Sequence, residues 1–298
     1  MNKAALPSTP SPRAVLAEQL RTVGLATRRE LLALGVFLVG MVLFAGVIAL
    51  LPDLRIQVDM DIPLGLNPED IGYLAVIVAL FFPLAVWKGE APFGDTQLWR
   101  LPVDRPRHLW TKVGAGWVWL MALVAAGLVA IVGVVLLSGG TAGIEGTRLV
   151  VVDPVAAAAG GAAGLAPAPW ATPWWQWVMP FTAATAVYLL ASTVWLSTAH
   201  PWRLIAGGWI LVLAFGGLVE VVRSPTLDAP IETVVASFDH LVSTGAEALR
   251  RFTRTADGEL VRSWHGLPSF GGWLQASVTW IVAGLAGIGF AAFRHREG

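Results

Sequence analysis

Apolar residues run in long unbroken stretches along this chain, and the polar positions collect between them. Residues 31–51, "LLALGVFLVGMVLFAGVIALL", contain no charge. About 20 such residues cross the ~30 Å hydrocarbon core of a bilayer as a helix. Comparable stretches follow at 71–87, 113–137, 176–198, 202–222 and 271–293. They are apolar on every side, which excludes the alternation of a membrane β-barrel. The pattern predicts an all-α integral membrane protein with six transmembrane helices. Residues 1–12, "MNKAALPSTPSP", read as a disordered lead, and 13–298 as a single transmembrane domain. No early apolar run with a small-residue cleavage site marks a signal peptide, so the first run is expected to stay as an anchor.

Between Arg13 and Glu30 the period changes. Leu16, Leu20 and Val23 fall at i, i+4 and i+7, while Arg13, Glu18 and Arg21 can point elsewhere. This is the pattern of an amphipathic N-terminal helix on the membrane surface; an extension of the first span is the alternative. The loop 139–174 is rich in Gly, Ala and Pro and reads as flexible. Trp170, Trp174, Trp175 and Trp177 at its end are expected to form an interfacial belt. Before the last span, Asp228 can cap a helix with Pro230 just inside. Ile231, Val235, Phe238, Val242, Leu249 and Phe252 would keep to one face, giving a helical outer loop that lies on the membrane or folds back against the spans. Gly114, Gly116, Gly207, Gly208, Gly284, Gly287 and Gly289 sit within spans, where small residues let helices approach closely.

Composition sharpens this picture. Hydrophobic residues make up 56% of the chain and charged residues only 13%, against about a quarter in soluble domains. The absence of cysteine removes disulfides, Cys-ligated zinc and thiol chemistry. Zero formal charge gives no overall attraction to nucleic acid. Basic residues are unevenly shared among the loops: Lys3, Arg13, Arg21, Arg28 and Arg29, then Lys88, Arg100, Arg105, Arg107 and Lys112, then Arg203, Arg294 and Arg296 fall on one side of six spans. The positive-inside rule makes that side, and both termini, cytoplasmic. The loop 223–270 carries further arginines on the other side, but long loops translocate largely regardless of charge.

Little in the chain can carry chemistry. There is no G-x-x-x-x-G-K-[ST] loop for nucleotide phosphates, no H-E-x-x-H zinc motif and no G-x-S-x-G elbow. The chain is therefore read as no enzyme and as binding no cofactor itself. None of His108, His200, His240, His265 and His295 falls at mid-span, where haem ligands would sit. His200 reads as part of a tight turn before Pro201. Glu220 alone approaches the position of an intramembrane carboxylate, and it lies near a span end. Tyr188 and Ser192 are the polar groups within a span that could meet a substrate.

The one elaborate segment is "WKGEAPFGDTQLWRLPVDRPRHLWTK", 87–112. Pro92 and Gly94 bend it, Asp95 can cap a short helix through 95–101, and Pro102 ends that helix. Asp104 and Pro106 then open the next one. An ordinary charged hairpin would also satisfy this pattern. Glu90, Gly94, Thr96, "LPV-x-R" (Leu101, Pro102, Val103, Arg105) and Lys112 resemble the corresponding loop of permease subunits of ABC type-2 transporters. Asp95 separates the usual Gly-Thr pair, and Asp104 stands where serine is common. The sharp match covers about 25 residues; the six-span layout agrees more broadly.

That resemblance implies a membrane subunit of an exporter in a bacterial inner membrane, moving an amphiphile such as a lipid, glycan, drug or peptide. It implies a cytoplasmic ABC ATPase partner holding ATP and Mg, and a second permease copy or paralogue, all in contact with membrane lipid. The surface helix and the 90–105 segment would dock on the ATPase, with Glu90 and the 95–101 helix transmitting force and Arg105 and Lys112 at the lipid headgroups. The alternative function is a non-transporting scaffold or anchor in a larger complex.

Overall fold

The computed structural model describes residues 11–50, 65–66, 68–88, 105–137, 140–143, 145–152, 165–198, 203, 225–245, 250–254 and 260–294. In chain order these form α1 (Pro12–Ala26), α2 (Arg28–Leu50), β1 (Gly65–Leu66), α3 (Pro68–Val86), α4 (Arg105–Leu137), β2 (Thr141–Ala142), β3 (Glu145–Val151), β4 (Leu165–Ala171), α5 (Trp174–Ser197), α6 (Pro225–Ser243), β5 (Arg250–Arg254), β6 (Leu260–Trp264) and α7 (Phe270–Arg294). Among the described residues, three helices are long and apolar enough to cross a membrane: Pro106–Leu137, Trp174–Ser197 and Phe270–Phe293. Shorter apolar stretches, Leu31–Phe44 in α2 and Ile71–Val86 in α3, stand where the first two spans are expected. The expected span 202–222 lies outside the described residues, apart from residue 203, as do the lead 1–10, His200 and Glu220. The class is a mostly helical membrane protein.

Helix α5 is the centre of the bundle. Ala183, Ala184, Ala186 and Tyr188 on it are fully buried, with α3 and α7 on its flanks. Contacts fix the directions. Gly72 faces Met179 and Phe82 lies against Tyr188, so α3 runs parallel to α5. Trp175 stacks near Trp273 and Leu189 meets Gly284, so α7 is parallel to α5 as well. Helix α4 is antiparallel, because Val113 meets Tyr188 whereas Trp117 meets Thr185.

Small residues make these crossings close, as lipid-embedded packing requires. A Cβ at Gly287 would sit 2.6 Å from Thr193 Cγ2, and one at Gly284 would sit 2.6 Å from Leu189 Cβ. Gly116 lies directly beneath the Tyr188 hydroxyl and Val86. Among the described residues, a Cβ at Gly114 or Gly289 would meet nothing within 4 Å.

The two ends of the bundle differ. At one, here the basal end, lie α1, the end of α3, the start of α4 and the ends of α5 and α7. At the other, the cap end, lies a four-stranded sheet in the order β4-β3-β6-β5, whose β4 leads into α5 and whose β6 leads into α7. This sheet departs from the all-α expectation. Two separate loops supply it: β3 and β4 come from 139–174 and pair antiparallel over seven positions, whereas β5 and β6, from 223–270, pair over five. Its edge strand β4, "LAPAPWA", places Pro167 and Pro169 opposite Leu149 and Thr147. Proline is tolerated on edge strands and blunts them against further pairing.

Helix α6 departs from expectation at both ends. It opens at Pro225, upstream of Asp228, so Asp228 lies inside the helix and is no cap. It stops at Ser243 because Thr244 (φ 61°) and Gly245 (φ 79°) turn left-handed, and the Gly245 N–H donates to the Asp239 carbonyl at 3.2 Å. Phe252 consequently belongs to β5, and Leu249 lies outside the described residues. Of the predicted apolar face, Phe238 and Val242 pack inward while Val235 is exposed. Of the two placements predicted for this helix, it adopts the one folded back against the spans. Phe238 meets Trp280 edge-on, and the buried Gln176 donates to Thr244 at 3.2 Å.

Candidate functional site

The segment singled out by sequence is bracketed at the basal end. Glu90, Gly94, Asp95, Thr96, Leu101, Pro102 and Val103 lie outside the described residues. Its two roots are described: the last turn of α3 with Trp87 and Lys88, and the first turns of α4, which Arg105 opens with Pro106 behind it.

Helical spacing puts Leu109, Lys112, Val113 and Gly116 on one face of α4, and that face is turned inward. Leu109 is fully buried, and Val113, Trp87 and Lys112 are each 2% exposed. The Lys112 ammonium stands over the Trp87 ring, 4.7 Å from its centroid. Lys112 therefore packs inside the protein and not at the headgroups, contrary to the expectation. A cation over an indole is attracted by the ring quadrupole, more strongly when water is excluded. The two roots are thus joined side chain to side chain.

One residue further along, the Val113 carbonyl accepts from the Tyr188 hydroxyl at 3.0 Å. Tyr188 and Ser192 are both fully buried, and the Tyr188 hydroxyl ties α5 to α4. Thr193 continues the series, donating to the Gly284 carbonyl at 3.2 Å. A chain of packed and hydrogen-bonded contacts leads from the segment's roots through α4 and α5 to α7.

Helix α1 joins the same end. Ser11 caps it, accepting from the Ala14 N–H at 3.3 Å, and Pro12 occupies the first turn. It ends at Thr27, whose hydroxyl donates to the Val23 carbonyl at 2.8 Å. The helix expected through Glu30 is therefore two, with α2 starting at Arg28. The three residues marked for the membrane divide. Val23 is fully buried in the bundle core, Leu20 packs against that core, and Leu16 is 38% exposed. Trp119 of α4 explains the inward placement: its indole N–H donates to the Leu20 carbonyl at 2.9 Å. Gly24 lets the ring lie close, since a Cβ there would come within 2.7 Å of it. Outward faces carry Arg13, Arg21, Arg28, Arg29, Lys88 and Arg107, with Glu18 as the acidic residue on the exposed face of α1.

Sequence reasoning missed Trp87, Trp119 and Gly24. Trp87 ends an apolar run, Trp119 lies inside one and Gly24 lies in the amphipathic stretch, and only the three-dimensional contacts distinguish them from their neighbours. The Trp belt is likewise rearranged. Trp174 is 70% exposed, but Trp175 is buried in a cluster with Trp273 and Phe270, and Trp170 lies in the sheet. Among the described residues no group of His, Asp and Glu is arranged to hold a metal.

These features define an integral membrane protein with a basic, helix-braced end and a β-capped end. Compared with known proteins, the chain matches no family model, no curated protein and no solved structure.

Proposed function

We propose that this chain is the permease subunit of an ATP-driven exporter of the ABC type-2 kind, with six spans, its basal end and both termini in the cytoplasm of a bacterial cell. A separate ATPase binds ATP and Mg and docks on α1 and the 90–105 segment. A second copy or a related permease completes the pathway, and an amphiphile is moved outward.

One observation supports this reading above the others. The two elements expected to receive force, α1 and the roots of the 90–105 segment, share one apolar core with α3, α4 and α5. A push on either is carried into the helices because packed interiors shift as units and deform little. The basic outer faces at this end supply the charge bias that orients such chains.

Gentle purification in lipid nanodiscs, followed by identification of stably bound chains, tests the proposal. A partner containing a phosphate-binding loop is expected. In the reconstituted complex Glu90→Ala should leave ATP hydrolysis running while transport falls at least tenfold. A stable complex containing no such partner supports the scaffold role instead.

A further inference from the structure

The cap sheet is two hairpins joined by a weak seam. The hairpin β3–β4 leads through Thr172 and Pro173 directly into α5, and the hairpin β5–β6 leads through 265–269 into α7. Between them, among the described residues, β3 and β6 pair in parallel at a single position, Val150 with Trp264. Within the hairpins the ladders run over seven and five positions.

One side chain bridges this seam. Gly146 pairs with Trp170 and Val150 pairs with Trp264, so Arg148, midway between, shares a face with both indoles. Its guanidinium carbon lies 4.4 Å from the Trp170 ring centroid and 3.9 Å from that of Trp264. The plane is held between an indole of its own hairpin and an indole of the other. At the helix starts that follow the two hairpins, Trp175, Phe270 and Trp273 join the first turns of α5 and α7.

We propose that Arg148 is a latch: while its guanidinium is stacked on Trp264 the cap is one sheet and the cap ends of α5 and α7 stay together. When that contact parts, each hairpin travels with its own membrane helix. The latch does not rest on the transport reading, because it concerns how this cap opens, whatever the opening serves.

The chain has no cysteine, so paired spin labels report the seam cleanly. Thr147→Cys and His265→Cys place labels at exposed positions on its two sides. In nanodiscs, double electron–electron resonance should give one dominant distance for the parent pair. Arg148→Met should add a longer distance and raise the parted fraction about tenfold, the change that ~1.4 kcal/mol of lost cation–π contact produces. Arg148→Lys keeps the charge without the plane and should fall between. An unchanged distribution in Arg148→Met overturns the latch. Trp264→Leu removes the other half of the contact and is read the same way if the first variant does not assemble. Hydrogen exchange on the unsubstituted protein gives a third reading. The amides joining β3 to β6 should exchange ahead of those joining β3 to β4, and equal protection contradicts the proposal.

Discussion

The contact between α4 and α5 offers the most quantitative test of the packing. Gly116 lies beneath Tyr188, whose hydroxyl reaches past it to the Val113 carbonyl at 3.0 Å. Tyr188→Phe deletes that hydrogen bond in a fully buried position. Hydrogen bonds between membrane helices average roughly 0.6 kcal/mol, with an upper range near 1.7, so a loss of about 1 kcal/mol is expected. Gly116→Ala drives a methyl group into the hydroxyl and to 2.9 Å from Val86 Cγ2, an overpacking that costs roughly 1–3 kcal/mol. The double variant decides the matter. Removing the hydroxyl relieves the closest clash but leaves Tyr188 Cζ at 3.2 Å and Val86 where it was. The pair should therefore destabilise by about 1 kcal/mol less than the sum of the single changes, within the range for residues in contact. Thermal or denaturant unfolding in one detergent, followed by tryptophan fluorescence, measures all four corners of the cycle. Strict additivity would refute the geometry, because two residues that touch as described cannot act independently.

Three further expectations use the same measurement. Gly287→Ala should cost roughly 1–3 kcal/mol, because its Cβ would meet Thr193 on α5, whereas Gly289→Ala two residues away should fall within about 0.5 kcal/mol of the parent; equal effects would misplace the α5–α7 contact. Lys112→Leu should lose at least about 1 kcal/mol while Lys112→Arg keeps most of it, since a guanidinium also stacks on Trp87. Gly245→Ala should cost about 1–2 kcal/mol for its left-handed backbone (φ 79°) alone, and increased hydrogen exchange in the last turns of α6 should accompany it.

The helices were legible in the sequence because their signal is local. Apolar runs at 31–51, 71–87, 113–137, 176–198 and 271–293 each fall on a helix whose described ends lie within a few residues, except that α4 starts at Arg105. That start is the one Asp104 and Pro106 mark in the sequence, and the helix continues from it unbroken into the apolar run. The cap sheet was not legible. "LAPAPWA" has neither alternation nor β-branched residues, and it is a strand because β3 offers it a partner fourteen or more residues away. The end of α6 could have been found: Ser-Thr-Gly at 243–245 is a stop signal, overridden in the reading by the apolar period that continues to Phe252.

At the candidate site, the bend-and-cap residues of 87–112 lie outside the described residues, but the roots on either side of them converge at the basal end. Burial of Lys112 was invisible, because a lysine at the edge of an apolar run looks like an interfacial anchor until Trp87 is known to cover it. The inward turn of α1 was hidden for the same reason. Leu20 and Val23 would suit a membrane surface equally well, and only Trp119, about a hundred residues on, claims them for the bundle.

The central claim is that the basal end is where a nucleotide-hydrolysing partner presses. Photo-crosslinking from benzoylphenylalanine at Arg21 or Lys88, both exposed there, measures this directly in intact cells, with Thr147 in the cap sheet as the opposite-end control. The account predicts an adduct with an ATPase chain from the first two positions and none from Thr147. An ATPase adduct from Thr147, or none from either basal position, would contradict it.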